Sequence, residues 1–460
     1  MSTPASALPI TQDISAGLGA KRIKNNYFDG LQTTLLHKCI FFLIMLAFFF
    51  EQMDNANFTY IAPALMKSAN MSMTDIGHIT FCYFIAMTVG GLLGGVLSDF
   101  LDRRKAFLLS TLIFTVASVI NGWTDNKIVF IIARAMTGFG IFSLMVCAQT
   151  YMTEMAPAEC RGKWQGLVAC VGFCAMPFIG FMCRMVIPIS PEAWRYIFYA
   201  GGLGFIAFAM AYFYLPESPR WLVGKKRLAE AEAVVKKLTG ISVDLSEVAA
   251  ANTEPHAKVM DVLLGMLQPK YIKRTLVILI LFLCYTPPGF MIFVWTGVIL
   301  KQKGYTMNDA LTATMIIQFA LPVGAYFSSL ISDRGGRKVP IIITLIVMAI
   351  TFLVFGNSDQ YWLIVGAGFC TQMAATVMFL LYFTYCCEQY PTRMRNTASG
   401  LQNAAGRLAT AAYQPIVPIV VAAYGFSGMC GLNAALLILP AIVVAIWGVR
   451  TGGKSLEEIS

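Results

Sequence analysis

Apolar residues in this chain come in long runs with few charges, each about the 18 residues or more that a helix needs to cross the hydrocarbon core of a bilayer. About twelve runs can be marked, at approximately 38–64, 76–98, 106–123, 128–150, 164–187, 194–215, 274–299, 308–331, 339–356, 361–386, 398–424 and 427–449. Composition points the same way. Of 460 residues, 57% are hydrophobic and 13% charged, with a mean hydropathy of +0.68, which is more apolar surface than a soluble domain can hide. The pattern predicts an all-α membrane protein of twelve transmembrane helices.

The formal net charge is +10, which in a soluble chain would raise the question of nucleic acid. Here the positive-inside rule accounts for it. With both termini cytoplasmic, roughly 26 of the 34 Lys and Arg fall on the cytoplasmic side, and about five, including Lys67, Lys127 and Lys303, fall in outer loops. No nucleic-acid motif is visible. Residues 1–37 are polar, carry Lys21, Arg22 and Lys24, and contain no cleavable apolar core, so no signal peptide is expected. The twelve cysteines sit mostly inside spans without a CxxC pair. They read as small apolar packing, and neither a metal nor a cofactor is expected.

A polar stretch, 216–272, separates six spans from six more and contains an amphipathic piece from Arg227 to Leu238 with Lys236 and Lys237 outward. The second half repeats the first. DFLDRRK (Asp99–Lys105) follows the second span and DRGGRK (Asp333–Lys338) the eighth. EMAPAECRGKWQG (Glu154–Gly166) follows the fourth span and EQYPTRMRNTASG (Glu388–Gly400) the tenth. Asp99/Asp333, Arg103/Arg337, Glu154/Glu388, Pro157/Pro391, Arg161/Arg395 and Gly166/Gly400 are all 234 residues apart. One offset for two separate motifs makes a parallel repeat with its axis along the membrane normal.

These motifs resemble the major facilitator superfamily of transporters. The two loops are similar to its signature after helices two and eight, except that Asp102 stands where glycine is typical. Arg134-Ala-Met-Thr-Gly138-Phe-Gly140 resembles its RxxxGxG motif of helix four. EMAPAECRGK and Pro216-Glu-Ser-Pro-Arg-Trp-Leu222 look like signatures of the sugar-porter branch and its metabolite-transporter relatives. The resemblance covers roughly 38–450 and implies two pseudo-symmetric six-helix bundles, at 38–215 and 273–449, joined by a cytoplasmic linker at 216–272. The tails are 1–37 and 450–460.

Acidic and basic residues at the cytoplasmic helix ends can pair across the seam between halves and hold one conformation closed. Asp99, Arg103, Glu154 and Arg161, with Asp333, Arg337, Glu388 and Arg395, are the candidates for such a gate. The alternative is ordinary topology charge, worth little as exposed pairs. Gly90, Gly91, Gly94 and Gly95 form overlapping GxxxG steps, read as helix packing.

Ionisable residues deep in a span are costly and mark function by default. Glu51 and Asp54 lie at i and i+3 in the first span, and Arg134 enters the fourth from the outside at a compatible depth. A carboxylate beside a guanidinium can take up and release a proton. In the sugar:proton symporters that the chain resembles, the helix-one aspartate and helix-four arginine are the coupling pair, and Asp54 and Arg134 match them. A static ion pair in a uniporter is the alternative, and Glu51 is an added acid that either assists or replaces Asp54.

Arg407 lies near mid-depth in the eleventh span, on one face with Asn403, Thr410 and Gln414. Its repeat mate is Phe173, so the charge breaks the symmetry. A fixed cation there suits an anionic solute, and the organic-anion carriers that the chain resembles have a cavity-facing arginine on that helix. Neutralisation by a glutamate or by backbone carbonyls is the alternative. Gln318 and Gln372 are further mid-depth polar groups, and Tyr285, Trp295 and Tyr413 are candidate walls. Pro287 and Pro288 are expected to break or bend the seventh span, and Arg184 to snorkel. The helix-seven glutamine pair of sugar porters is absent.

The chain is therefore read as a monomeric plasma-membrane carrier that moves a small organic anion, a carboxylate or sugar acid, by alternating access with proton symport. A neutral sugar or polyol carrier and a drug or organic-ion exporter are the competing readings. His37, His78 and His256 are scattered, and no nucleophile–base set appears, which argues against an enzyme.

Overall fold

A computed structural model describes residues 21–22, 34–246, 264–332, 337–390 and 392–449. The first six spans are α1 (Leu35–Ser68), α2 (Met73–Leu101), α3 (Arg103–Trp123), α4 (Lys127–Met155), α5 (Ala158–Val186) and a sixth broken into α6 (Trp194–Gly201) and α7 (Gly204–Tyr214). The segment that follows forms α8 (Pro219–Gly224) and α9 (Leu228–Thr239). The amphipathic pattern holds there: Ala231, Val235 and Leu238 are buried while Lys236 and Lys237 are exposed. The second set is α10 (Ile272–Gln302), an eighth span broken into α11 (Met307–Gln318) and α12 (Ala320–Ser332), α13 (Lys338–Asn357), α14 (Tyr361–Glu388), α15 (Thr392–Tyr413) and α16 (Ile416–Trp447).

Helix starts follow local chemistry. The Thr34 hydroxyl accepts from His37 N and begins α1, and Ser72 with Asp75 closes a reciprocal capping box on α2. The last two spans differ from the sequence reading. The eleventh breaks at Gln414–Pro415, and its final turns are the start of α16, which leaves helical geometry at Gly425 (φ 68°) before the twelfth span. Only glycine adopts that φ at little cost. Pro287 and Pro288 do not break α10, which is one helix through both. Neighbouring helices can support such prolines inside a membrane bundle. Here Thr286 Oγ1 donates to Phe282 O of its own helix at 2.9 Å and to Gly406 O of α15 at 3.0 Å.

Small residues set the closest crossings. A Cβ on Gly90 would lie 2.3 Å from Phe139 O, and one on Gly94 2.8 Å from Ser143 Cα, so α2 and α4 meet backbone to backbone. α1 and α10 touch where repeat mates face each other. Thr59 Oγ1 donates to Phe293 O at 3.0 Å, and Gly297 packs on Pro63. Thr59/Phe293 and Pro63/Gly297 are each 234 residues apart, so this crossing lies on the pseudo-twofold axis.

Contacts between the bundles concentrate on the far face, away from the linker. Gly77 of α2 lies against Gln414 O and Pro418. Arg184 does not simply snorkel: its Nε donates to Thr312 Oγ1 of α11 at 2.8 Å, tying α5 to the other bundle. A Cβ on Gly297 would sit 3.1 Å from both Pro63 Cγ and Thr59 O. Gly297→Leu is therefore expected to wedge the far face open. Electron-spin distances between labels at the far-face ends of α1 and α10 should lengthen, and unchanged distances would contradict the closure described here.

Candidate transport site

A cavity of about 180 Å³ lies between the bundles near half the depth of the helices. Repeat mates line it. Glu51 and Tyr285, Gln52 and Thr286, and Asn55 and Gly289 come from α1 and α10. Met87 and Leu321 come from α2 and α12, Phe142/Thr376 and Met145/Phe379 from α4 and α14, and Phe173 and Arg407 from α5 and α15. Each pair is 234 residues apart. The walls are largely aromatic and Met-rich, with a few convergent polar groups, as small-solute sites are.

Arg407 is buried in this wall, with its guanidinium 3.6 Å from the centre of the Phe142 ring. Its Nε and Nη1 have no hydrogen-bond partner. Among the described residues, no salt bridge joins it to a carboxylate. Across the cavity, Glu51 Oε1 accepts from Gln52 Nε2 at 3.2 Å while Oε2 is unpartnered. Gln372 Oε1 is unpartnered as well. Tyr285 lines the cavity, but its hydroxyl is committed to Ala375 O at 2.7 Å.

Other residues of the polar face sit elsewhere. Gln414 is buried away from the cavity and accepts from Trp295 Nε1 at 2.8 Å. Tyr413 donates to Asn433 Oδ1 inside the second bundle. Gln318 Nε2 reaches Phe293 O at 3.5 Å, and Asn403 is half-buried outside the cavity lining. A stripe that runs along the whole helix meets the cavity at one depth only, which selects Arg407. Gln52, Asn55 and Phe142 were not singled out from sequence. No sequence signal marked Phe142, because its repeat mate Thr376 was not a candidate either.

The expected carboxylate–guanidinium pair of Asp54 and Arg134 is not formed. Asp54 Oδ1 accepts from Asn57 Nδ2 and from Ser118 Oγ of α3 (2.8 Å for the serine), and Oδ2 is unpartnered. Gly201 makes room for this group, since a Cβ there would lie 2.2 Å from Ser118 Oγ and 3.1 Å from Asp54 Oδ1. Arg134 donates instead to the backbone carbonyl of Asp54, at 3.5 Å from both terminal nitrogens. Its guanidinium lies over the rings of Tyr83 (4.4 Å) and Phe58 (5.1 Å). Glu51 and Asp54 also do not share surroundings. Three residues turn a helix by about 300°, so the two point about 60° apart. Glu51 faces the cavity and Asp54 faces α3 and α6.

At the linker face, Arg103 pairs with Glu154 at 3.0 Å and Arg337 with Glu388 at 3.1 Å. The two pairs are 234 residues apart, and each closes inside one bundle, not across the seam as expected, because both partners end neighbouring helices of the same half. The side chains of Asp99, Arg161 and Arg395, and all of Asp333, lie outside the described residues. Glu217, from the PESPRWL motif, accepts from the N–H groups of Arg103 and Arg104 at 3.1 Å each and caps α3.

Two bundles meeting around a mid-depth cavity with a few convergent polar groups are the architecture of a solute carrier. The chain belongs to the Major Facilitator Superfamily, whose model matches residues 44–414, with a further match over 318–458. It is 29% identical over 397 residues to an inner membrane metabolite transport protein of Escherichia coli (strain K12), covering 83% of this chain and 85% of that protein. It is 24% identical over 436 residues to the niacin transporter of Acinetobacter baylyi (strain ATCC 33305 / BD413 / ADP1), covering 94% and 98%. The fold is similar to the xylose transporter XylE from E. coli in a partially occluded inward open conformation, with a TM-score of 0.74 and 18% identity, over 92% of this chain and 100% of that one. The protein is an integral membrane transporter and not an enzyme.

Asp102, the departure from the loop signature, has φ 127° and ψ 150°, a conformation that glycine alone adopts readily. The repeat mate in the sequence is Gly336, outside the described residues. The salt bridge of Asp102 to the exposed Lys105 offsets little of the strain. Asp102→Gly is expected to stabilise the protein by about 1 kcal/mol, read as a higher unfolding temperature in detergent. A lower one would contradict the strain.

Proposed function

We propose that this transporter carries a small organic carboxylate, coupled to protons, through the cavity between α1 and α15. One observation carries the reading: Arg407 is a buried cation in the cavity wall whose Nε and Nη1 have no partner. A guanidinium holds a carboxylate by two parallel charge-assisted hydrogen bonds, and the neighbouring aromatic walls exclude water that would weaken them. One relative is named for niacin, itself a pyridine carboxylate. Proton coupling is assigned to α1, which brings two acids, Glu51 and Asp54, to mid-depth.

The far face is closed by Thr59–Phe293, Arg184–Thr312 and the Gly77 contact, which fits a carrier with its site turned toward the linker. The linker side is taken as cytoplasmic by its Lys and Arg content, in a plasma membrane. The monomer is taken as the transporting unit, since one chain supplies both bundles and the whole cavity wall.

Purified protein should be stabilised against heat by nicotinate, benzoate or gluconate, and not by nicotinamide, which replaces the carboxylate of nicotinate with a neutral amide. Arg407→Ala should lower carboxylate affinity by about tenfold or more. Stabilisation by xylose or nicotinamide that survives Arg407→Ala unchanged would sink the carboxylate reading.

A further inference from the structure

Resting on the carboxylate reading of this cavity, we infer that Glu51, not Asp54, holds the proton that is taken up together with the substrate anion at Arg407, so that each monocarboxylate travels with one proton. Glu51 and Arg407 are the charged residues that line the cavity, one from each bundle. They share the space without a salt bridge, and each keeps an unpartnered polar atom. Between largely apolar walls a net charge is expensive. Without substrate, the Glu51 carboxylate offsets the Arg407 cation. A substrate carboxylate at Arg407 adds a second negative charge, and protonation of Glu51 to a neutral acid restores the balance. When the substrate leaves, Glu51 releases the proton and again offsets Arg407. No bond other than O–H forms or breaks.

The groups packed around Glu51 allow this assignment. Tyr83 of α2 and Tyr285 of α10 are phenols, neutral near pH 7 at their ordinary values. α5 and α14 present Phe173 and Gln372, which do not ionise. The Arg134 cation of α4 is held by the Asp54 carbonyl and two ring faces. Asp54 accepts from Asn57 and Ser118 inside the first bundle and is not part of the cavity wall, so a substrate does not displace its charge.

The test uses the full-length purified protein with nicotinate, benzoate and gluconate as probes between about pH 5 and pH 8. Wild-type affinity should fall about tenfold per pH unit above the titration of Glu51, the slope of one linked proton. Glu51→Gln should bind with no pH slope, and Asp54→Asn should keep the wild-type slope. A slope retained in Glu51→Gln, or lost in Asp54→Asn, overturns the assignment. A second arm needs no substrate. pH-difference infrared spectra should show a carboxylic-acid band that is absent in Glu51→Gln and that titrates at higher pH in Arg407→Gln, where the counter-charge is gone. A band unmoved by Arg407→Gln overturns the inference by itself. If the band moves while none of the three anions binds, the carboxylate reading fails instead, and the coupling inferred from it fails with it. In proteoliposomes, nicotinate uptake driven by a pH gradient should be indifferent to a potassium diffusion potential. Stimulation by the potential would overturn the one-to-one co-transport.

Discussion

The contact on which the structure turns is the crossing of α1 and α10 at the pseudo-twofold axis. A residue on such an axis meets its own repeat mate, and both Thr59/Phe293 and Pro63/Gly297 do so. The crossing is tight because Gly297 offers no side chain, and it lies beyond the cavity on the far face. With that end pinned, the halves can enclose space only below it, at the depth of Glu51 and Arg407. Phe293, one turn beyond Gly289, belongs to both the closure and the cavity wall.

Symmetry and asymmetry divide the work. The Arg103–Glu154 and Arg337–Glu388 pairs are copies, and each braces neighbouring helices of its own half. The cavity is built from copies as positions but not as chemistry. Glu51 faces Tyr285 in the repeat, and Arg407 faces Phe173. A solute charged at one end is not matched by two equivalent halves, so a site that binds it in one orientation places charge unequally on matched positions. The first half contributes the acid and the second the base, and any rocking between the halves changes the separation of the two charges.

The sequence made the span pattern and the repeat legible, because hydrophobic length and the 234-residue offset are properties of the chain alone. It hid the break at Gln414–Pro415, since apolar residues continue past it into α16. α15 is the most polar of the described spanning helices, and Asn403 and Arg407 contribute to that. Depth was readable and direction was not. Counting residues placed Asp54 and Arg134 at compatible depths, yet whether a guanidinium meets a carboxylate or the carbonyl behind it depends on rotations and on neighbours such as Gly201 and Ser118. The same limit separated Arg407, which reached the cavity, from Gln414 and Tyr413, which did not.

Rigid-body switching requires each bundle to hold together at the end where it opens, and matched fastenings are present there. Tyr151 at the linker end of α4 donates to Pro216 O just beyond the sixth span, at 2.7 Å. Tyr385, its repeat mate on α14, donates to Val449 O just beyond the twelfth, at 3.3 Å, and accepts from Val449 N at 3.0 Å. In each half a tyrosine thus stitches the exit of the last span to the fourth helix. Glu217 then ties the first half's exit to the start of α3 through two backbone N–H groups. These bonds join groups within one half and need not break when the halves tilt. Among the described residues, the interbundle hydrogen bonds that must break for the far face to open run from Thr59 to Phe293 and from Arg184 to Thr312. Each is a single hydrogen bond, with a net worth of about 1 kcal/mol. The packing of Gly77 on Gln414 and Pro418 and of Gly297 on Pro63 must part along with them.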